Sequence, residues 1–394
     1  MISQHNASHV LLGYYYQSRY ALYLMMKYGN DDTFLSIEKF DDIAFEQDGT
    51  PIELIQSKHH IRSCGNLTDA SVDLWKTIHI WCKIIKKYND NILFNLITTS
   101  TANEGSIAHY LTPNHEYRNP EAALKLLIKT AHESSSEQNK PAYELFKKLP
   151  EKLKKKMLDN IYIIDKSPNI TDLEQDILHE MRLTTRPEHK ELIFERIEGW
   201  WHQRVINYLV NEENEPLSFT EFNSKLNDIR EQFNKDNLPI DFPRPMQLEE
   251  EDVPIDDRIF IEQLRIIMLG DIRIHKAISD YYRAFQQRSI WVREDLLLSD
   301  ELEIYEERLV DEWERIFFAV KDDLGSAPTP EDYIKNGKFV FTTMERRNIN
   351  IRHNCQEPYI MRGSYHILAN QLKVGWHGDF LNQLKHLLQT EEVT

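Results

Sequence analysis

Cysteine is almost missing from the chain. Three residues (Cys64, Cys82 and Cys355) are scattered over 394 positions, too few for a disulfide framework or a Cys-rich zinc site. Glycine and proline are also sparse, at 12 and 15, which points to long helices with few breaks. No apolar run approaches the roughly 20 residues that a membrane-spanning helix needs. The first residues, Met1 to Gln17, lack the basic and apolar regions of a secretion signal, so the expectation is a cytoplasmic protein without membrane association. Positive charge is in deficit, with 47 Lys and Arg against 64 Asp and Glu, a net charge of −17. That excludes a general nucleic-acid coat protein, because phosphate demands local positive charge. It leaves room for a nuclease, whose metal site needs carboxylates and whose DNA contacts can be confined to one face.

Enough apolar material is present for ordinary folding. Hydrophobic residues make up 41% and aromatics 11% of the chain, which argues against disorder, and the length suggests two or three domains. Helical spacing of Leu12, Tyr16, Tyr20, Tyr23 and Leu24 predicts a first helix over 8–27. Short β-rich runs follow at 33–37, 42–45 and 52–57, the last two separated by an Asp48-Gly49 turn signal. Thr68 reads as the N-cap of a helix reaching Lys87. Residues 92–98 read as a strand buried on both faces. Residues 161–164 read as a further strand, and 191–209 as a helix. The expected architecture is an α/β domain (a mixed β-sheet flanked by helices) over 1–210. A linker with short helical pieces over 211–255 follows, then a mainly α-helical C-terminal domain over 256–394. Within the last stretch, 338–343 reads as a second hairpin.

The chemistry concentrates between Ser36 and His60. Side chains alternate faces along a strand, so Glu38 and Asp42 share one parity and Asp41, Ile43 and Phe45 the other. A three-residue loop, Asp48 to Thr50, sets Asp42 across from Gln56 with Lys58 diagonal to it, while Ile43, Phe45 and Ile55 fill the buried face. One side of the hairpin then carries a carboxylate, an amide and an amine, with Asp42 preferred over Asp41. Such a set suits phosphodiester hydrolysis. Mg²⁺ (or Mn²⁺) held by Asp42 and a backbone carbonyl can activate water and neutralise developing charge, and one or two carboxylates suffice for it. Lys58 could orient the water or stabilise negative charge. Gln56 could position water, and Glu38 is a possible second acid.

The ordered set Gly13-Tyr-Tyr-Tyr-Gln17, Glu38, Asp42 and Gln56-Ser-Lys58 resembles the PD-(D/E)xK nuclease superfamily. More narrowly, it looks like the Mrr-like branch with a QxK motif found in double-stranded-DNA endonucleases of antiphage defence. The resemblance implies a catalytic motif of Asp42, Gln56 and Lys58, with Glu38 and Gln17 in support. The metal ligands it implies are Asp42, the backbone carbonyl of Ser57, and Glu38. Residues 98–108 look like the end of the fourth core strand of such domains. The departure is Gln56 where the superfamily more often has Glu. A second resemblance, carried by 253–258, 280–289, 308–315 and 374–377, is to a C-terminal domain of the ABC-three-component systems. Together the two are similar to the effector subunit of Lamassu-type systems. That implies double-stranded DNA, an SMC-like ATPase and a small third subunit as partners, with the nuclease held inactive until release or self-assembly into a homo-oligomer.

Other features carry weaker readings. Lys147, Lys148, Lys154 and Lys155, with Lys152 and Lys156, form the densest basic run. They could track phosphate, although a solvated helix face looks the same. His59 and His60 could stand near DNA, but no Cys/His cluster at zinc spacing surrounds them. Tyr14, Tyr15 and Tyr16 suit helix packing better than base stacking. Arg283, Arg288, Trp291, Arg293, Trp313 and Arg315 are of the types enriched in interfaces. Gly375-Trp376-His377 reads as a tight turn. The alternatives to a regulated nuclease are a catalytically silent DNA-binding or scaffold subunit and a self-sufficient restriction endonuclease.

Overall fold

The computed structural model describes residues 7–58, 65–88, 92–211, 215–246, 258–325 and 327–389. The chain divides into two compact units, 1–230 and 231–394.

The first unit opens with helix α1 (Ala7–Tyr28), strands β1 (Phe34–Ile37), β2 (Ile43–Gln47), β3 (Thr50–Lys58) and β4 (Asn66–Leu67), and helix α2 (Val72–Tyr88). Strands β5 (Leu93–Thr98) and β6 (Thr101–Ala102) lead into helices α3 (Ile107–Tyr110), α4 (Pro120–Glu133), α5 (Lys140–Lys147) and α6 (Glu151–Asp159). The unit ends with β7 (Ile161–Ile164), α7 (Ile170–Glu180), α8 (Lys190–Val210), β8 (Leu217–Ser218) and α9 (Phe219–Gln232), which runs past the boundary. Six strands form one mixed sheet in the order β7-β5-β3-β2-β1-β8, and β4 pairs with β6 separately. The segment expected as a linker therefore supplies a sheet strand and a helix. The expected mixed sheet flanked by helices is present.

The hydrophobic pattern explains the layering. Leu74, Trp75, Ile78, Trp81, Cys82 and Ile85 recur on one face of α2 and are buried. They meet Ala44, Leu54, Phe94, Leu96, Ile161 and Ile163 from the sheet, with Phe146 and Met157 behind them. Burying a side chain of this size contributes roughly 1.5–3 kcal/mol. Strands β3, β5 and β7 run parallel, and the helices between them make the crossovers that parallel pairing needs. The helix expected from Thr68 begins later, at Val72. Residues 66–67 are used by β4, and Trp75 Nε1 donates to the Asp69 carbonyl at 2.7 Å.

The hairpin departs from expectation in a way that matters for the site. Asp48 (φ 50°) and Gly49 (φ 74°) are both left-handed, so the turn has two residues and Thr50 already pairs with Gln47. A bulge then sets Phe45 opposite Glu53 and Glu46 opposite Pro51, leaving Ile52 extra. The bulge restores the register that a three-residue loop would have set, and pairing runs to Ile43↔Ile55. Asp42 thus stands one step beyond the end of β2, opposite Gln56.

The second unit is helical: α10 (Ile259–Ile266), α11 (Asp271–Arg293), α12 (Glu301–Asp322), α13 (Pro330–Glu345), α14 (Pro358–Asn370) and α15 (Phe380–Leu384). Residues 338–343, expected as a hairpin, lie inside α13. A capping box between Thr329 and Asp332 with Pro330 at the first position starts that helix, and Val340, Phe341 and Met344 are buried at helical spacing. Helices α11 and α14 cross closely at Gly363, where an added Cβ would lie 2.1 Å from the Asp280 carbonyl oxygen. No helix among the described residues is long and apolar enough to cross a membrane.

Candidate active site

Three residues of β3 run past the last pair with β2 and stay bonded to β5, whose Thr98 pairs with Lys58. On the open edge, Ser57 donates its backbone N–H to Asp42 Oδ2 at 2.7 Å and its hydroxyl to the same oxygen at 3.0 Å. A strand residue points its N–H and C=O to the same edge, so the Ser57 carbonyl also faces Asp42. Bonds to a charged acceptor contribute roughly 1.5–3 kcal/mol each. Asp42 is therefore anchored to β3 by the residue expected to offer the carbonyl.

A cleft of about 510 Å³ lies over this edge, and Gln17, Glu38, Asp42, Gln56 and Lys58 all line it. The five residues come from α1, the β1–β2 loop and β3. Tyr14, Lys39 and Asp41 line it as well, together with Lys76 and Ile80 from α2. Gln56 is 2% exposed, and its Oε1 has no hydrogen-bond partner among the described residues. A buried acceptor left without a donor costs about 1–3 kcal/mol.

The carboxylates differ in character. Burial, reinforced by the charge of Asp42, raises the proton affinity of Glu38, while a bond from Gln17 and the charge of Lys58 pull it back. Glu38 also holds a left-handed φ of 59°, a conformation that costs a non-glycine residue of order 1–3 kcal/mol. Its N–H donates to the Asp42 carbonyl at 3.1 Å, which keeps the loop folded over the cleft. Burial and Asp42 push Asp41 up to about 7, against the bond that Trp81 Nε1 donates at 2.8 Å. Asp41 is thus turned toward Trp81 of α2 and Asp42 toward the open edge; both precede β2, and Asp41 lies on the α2 face rather than with Ile43 and Phe45, where strand parity had put it. The sequence reading missed Asp41–Trp81 and the Ser57 side chain. A tryptophan on the buried stripe of α2 was the available signal for the first.

The donors fit a divalent ion. One anchored carboxylate, one carbonyl on the same edge and one unpartnered amide oxygen are hard oxygen ligands of the kind Mg²⁺ takes sparingly from protein. No group of three or more His, Cys, Asp or Glu among the described residues could hold a metal ion, so Glu38 is not gathered with Asp42 into a larger carboxylate set.

Other candidate residues fall elsewhere. His59, His60 and Cys64 lie outside the described residues, as do 247–257 with their acidic run. Lys154 is 6% exposed, donates to Glu151 Oε1 at 2.8 Å and lies against the Phe146 ring. Lys147 pairs with Glu144. Lys148 and Lys155 are exposed, so the basic run does not form one continuous cationic face. Tyr16 is buried, whereas Tyr14 and Tyr15 are exposed.

In the second unit, Arg283, Arg288, Trp291 and Trp313 are buried and serve the fold. Arg283 donates to the Phe242 and Pro243 carbonyls, Trp291 to Pro239 and Trp313 to Gly375. Arg288 bonds Ser364 and Glu306. Burial withdraws these four from any partner surface. Arg293 and Arg315 stay exposed, the latter paired with Asp311.

Residues 260–384 match C-terminal domain 7 of the ABC-three component (ABC-3C) systems. No curated protein matches the chain. Among solved structures, the chain is similar to the Acinetobacter baumannii Cap4 SAVED/CARF-domain containing receptor, at 13% identity and a TM-score of 0.30, over 61% of this chain and 56% of the receptor. The same receptor with the cyclic trinucleotide 3′3′3′-cAAA gives the same identity and score over 57% of its length. The chain thus spans a little over half of those receptors.

Proposed function

We propose that the chain, whose residues 260–384 match a C-terminal domain of the ABC-three component systems, is a component of such an antiphage defence system and that its first unit is the effector, a metal-dependent endonuclease for double-stranded DNA. The observation that carries this reading is the convergence of Asp42, the unpartnered oxygen of Gln56 and Lys58 on one cleft at the open edge of β3.

Asp42, Gln56 Oε1 and the Ser57 carbonyl would hold the ion. Mg²⁺ or Mn²⁺, when bound, lowers the pKa of water and neutralises charge on the phosphoryl group. The Ser57 bonds to Oδ2 fix the Asp42 carboxylate before substrate arrives, so little reorganisation remains at the reacting centre. Lys58 places an ammonium where the phosphate becomes more negative. Glu38, with its raised proton affinity and its bond from Gln17, is placed to accept a proton from the attacking water.

Regulation follows from charge. A subunit at −17 is repelled by DNA until partners or self-assembly offset that field. The partners in this reading are an SMC-like ATPase and a small third subunit that restrain the nuclease. Purification from the native operon should recover an ATPase with long coiled-coil arms.

The direct test is plasmid cleavage by the purified protein with Mg²⁺. Asp42→Ala and Lys58→Ala should each lower the rate by about 10²-fold or more. Cleavage by Lys58→Ala equal to that of the parent would remove Lys58 from the chemistry. A chain silent at every metal concentration, alone and with its partners, would be a scaffold instead.

A further inference from the structure

We propose that a second cavity of the first unit, on the α1 side of the sheet, binds an aliphatic organic cation of the di- or polyamine class. This site is separate from the nuclease reading.

The cavity encloses about 550 Å³, within the usual range of roughly 300–1,000 Å³ for small-molecule sites. Four aromatic rings line it, Tyr20, Tyr28, Phe34 and Phe45, together with aliphatic side chains including Leu24 and Ile55. Three carboxylates line it too, Asp32, Glu46 and Glu53, and no lysine, arginine or histidine stands among the described lining residues. The charged side chains of this lining favour a cation over an anion.

Glu46 supplies an independent sign that something is to be bound. The residue is 2% exposed, and its Oε1 has no hydrogen-bond partner among the described residues. Its Oε2 accepts from the Lys39 ammonium at 2.7 Å, so this carboxylate already takes an alkylammonium from one side. Glu53 is held by Asn95 Nδ2, and burial raises its proton affinity. A cation beside it would favour the charged form.

The spacing of these groups selects the class of cation. Among the described residues no three carboxylates are gathered closely enough for a metal ion, so a bare divalent ion would reach too few of them. A chain with separated ammonium groups reaches several, while its methylenes lie on the rings and its charge faces their π-surfaces. The same chemistry is offered by a free polyamine or by a lysine side chain of a partner protein.

The test is calorimetric titration of the full chain with spermidine, without Mg²⁺ and near physiological ionic strength. One saturable site is expected, weakened by about ten-fold or more in Glu53→Gln. Ile52→Lys should weaken it as much. Ile52 lines the cavity and is half exposed, so that substitution tests the site without depending on a buried carboxylate. A neutral diol of equal length should not bind. Asp42→Ala should leave binding unchanged, which separates this proposal from the nuclease reading. Tighter binding of a lysine-rich peptide than of spermidine would assign the cation to a partner's side chain. Unsaturable uptake unaltered in both variants would reduce the effect to general attraction by an acidic surface and overturn the proposal. Equal competition by Mg²⁺ would also overturn it.

Discussion

Gln56 buries an amide oxygen that no described residue satisfies, so under the proposed nuclease function stability and chemistry would pull against each other at this residue. Gln56→Met keeps the length and removes the orphan acceptor. The metal-free variant should gain about 1 kcal/mol in urea denaturation and lose cleavage, whereas a purely structural role predicts no loss of cleavage. His366 on α14 is a second buried group under strain. Complete burial lowers its pKa to about 3, and its Nδ1 lacks a partner among the described residues. A folded-state pKa below the unfolded value of about 6.5 means that the proton favours the unfolded chain. Stability is therefore full above about pH 6.5 and falls as pH drops toward 3. Thermal melts of His366→Phe across that window should be flatter than those of the parent. A parallel decline in both would place the acid sensitivity elsewhere.

Helix crossings and strand ends decide what each element can do. At Gly363 the α11–α14 crossing leaves no room for a methyl group, so Gly363→Ala should cost at least 1–3 kcal/mol, read as a lower urea midpoint with an unchanged slope. Along α11, residues 283, 287 and 291 form one stripe that grips the segment 239–243. Gln287 Oε1 accepts from the Asp241 N–H, and its Nε2 donates to Asp241 and to the Pro239 carbonyl. Gln287→Ala should release that segment, and faster hydrogen exchange at the Asp241 and Phe242 amides would report it. Unaltered exchange would show that Arg283 and Trp291 suffice. These elements also mark how far the sequence could be read. The strands and α1 were legible because their apolar period is strong, whereas parity put Asp41 on the wrong face because it precedes β2. The late start of α2 was hidden because residues 66–67 pair with 101–102, a contact with no local signature. The hairpin expected at 338–343 failed because the cap that fixes α13 lies well upstream, at Thr329. The arginines of α11 looked like interface residues because composition does not say which face a helix buries. The Asp41–Trp81 bond joins residues 40 apart, beyond the reach of any local pattern.

For the whole molecule, charge sets the expected response to salt. The Debye length falls from about 30 Å at 0.01 M to about 10 Å at 0.1 M, so screening should relieve the repulsion between DNA and a chain at −17. Cutting by the isolated subunit should accelerate over that range. A protein with a broad basic face slows instead, through counterion release, and such slowing here would reveal a cationic track. The hairpin that carries the site has a different kind of consequence, one for descent. Its irregularity at Ile52 works as an expansion joint, because removing that one residue would let the ladder close with Asp42 still facing Gln56. Insertions and deletions among homologues should therefore collect between 46 and 53, and the stretch 54–58 should keep a constant length.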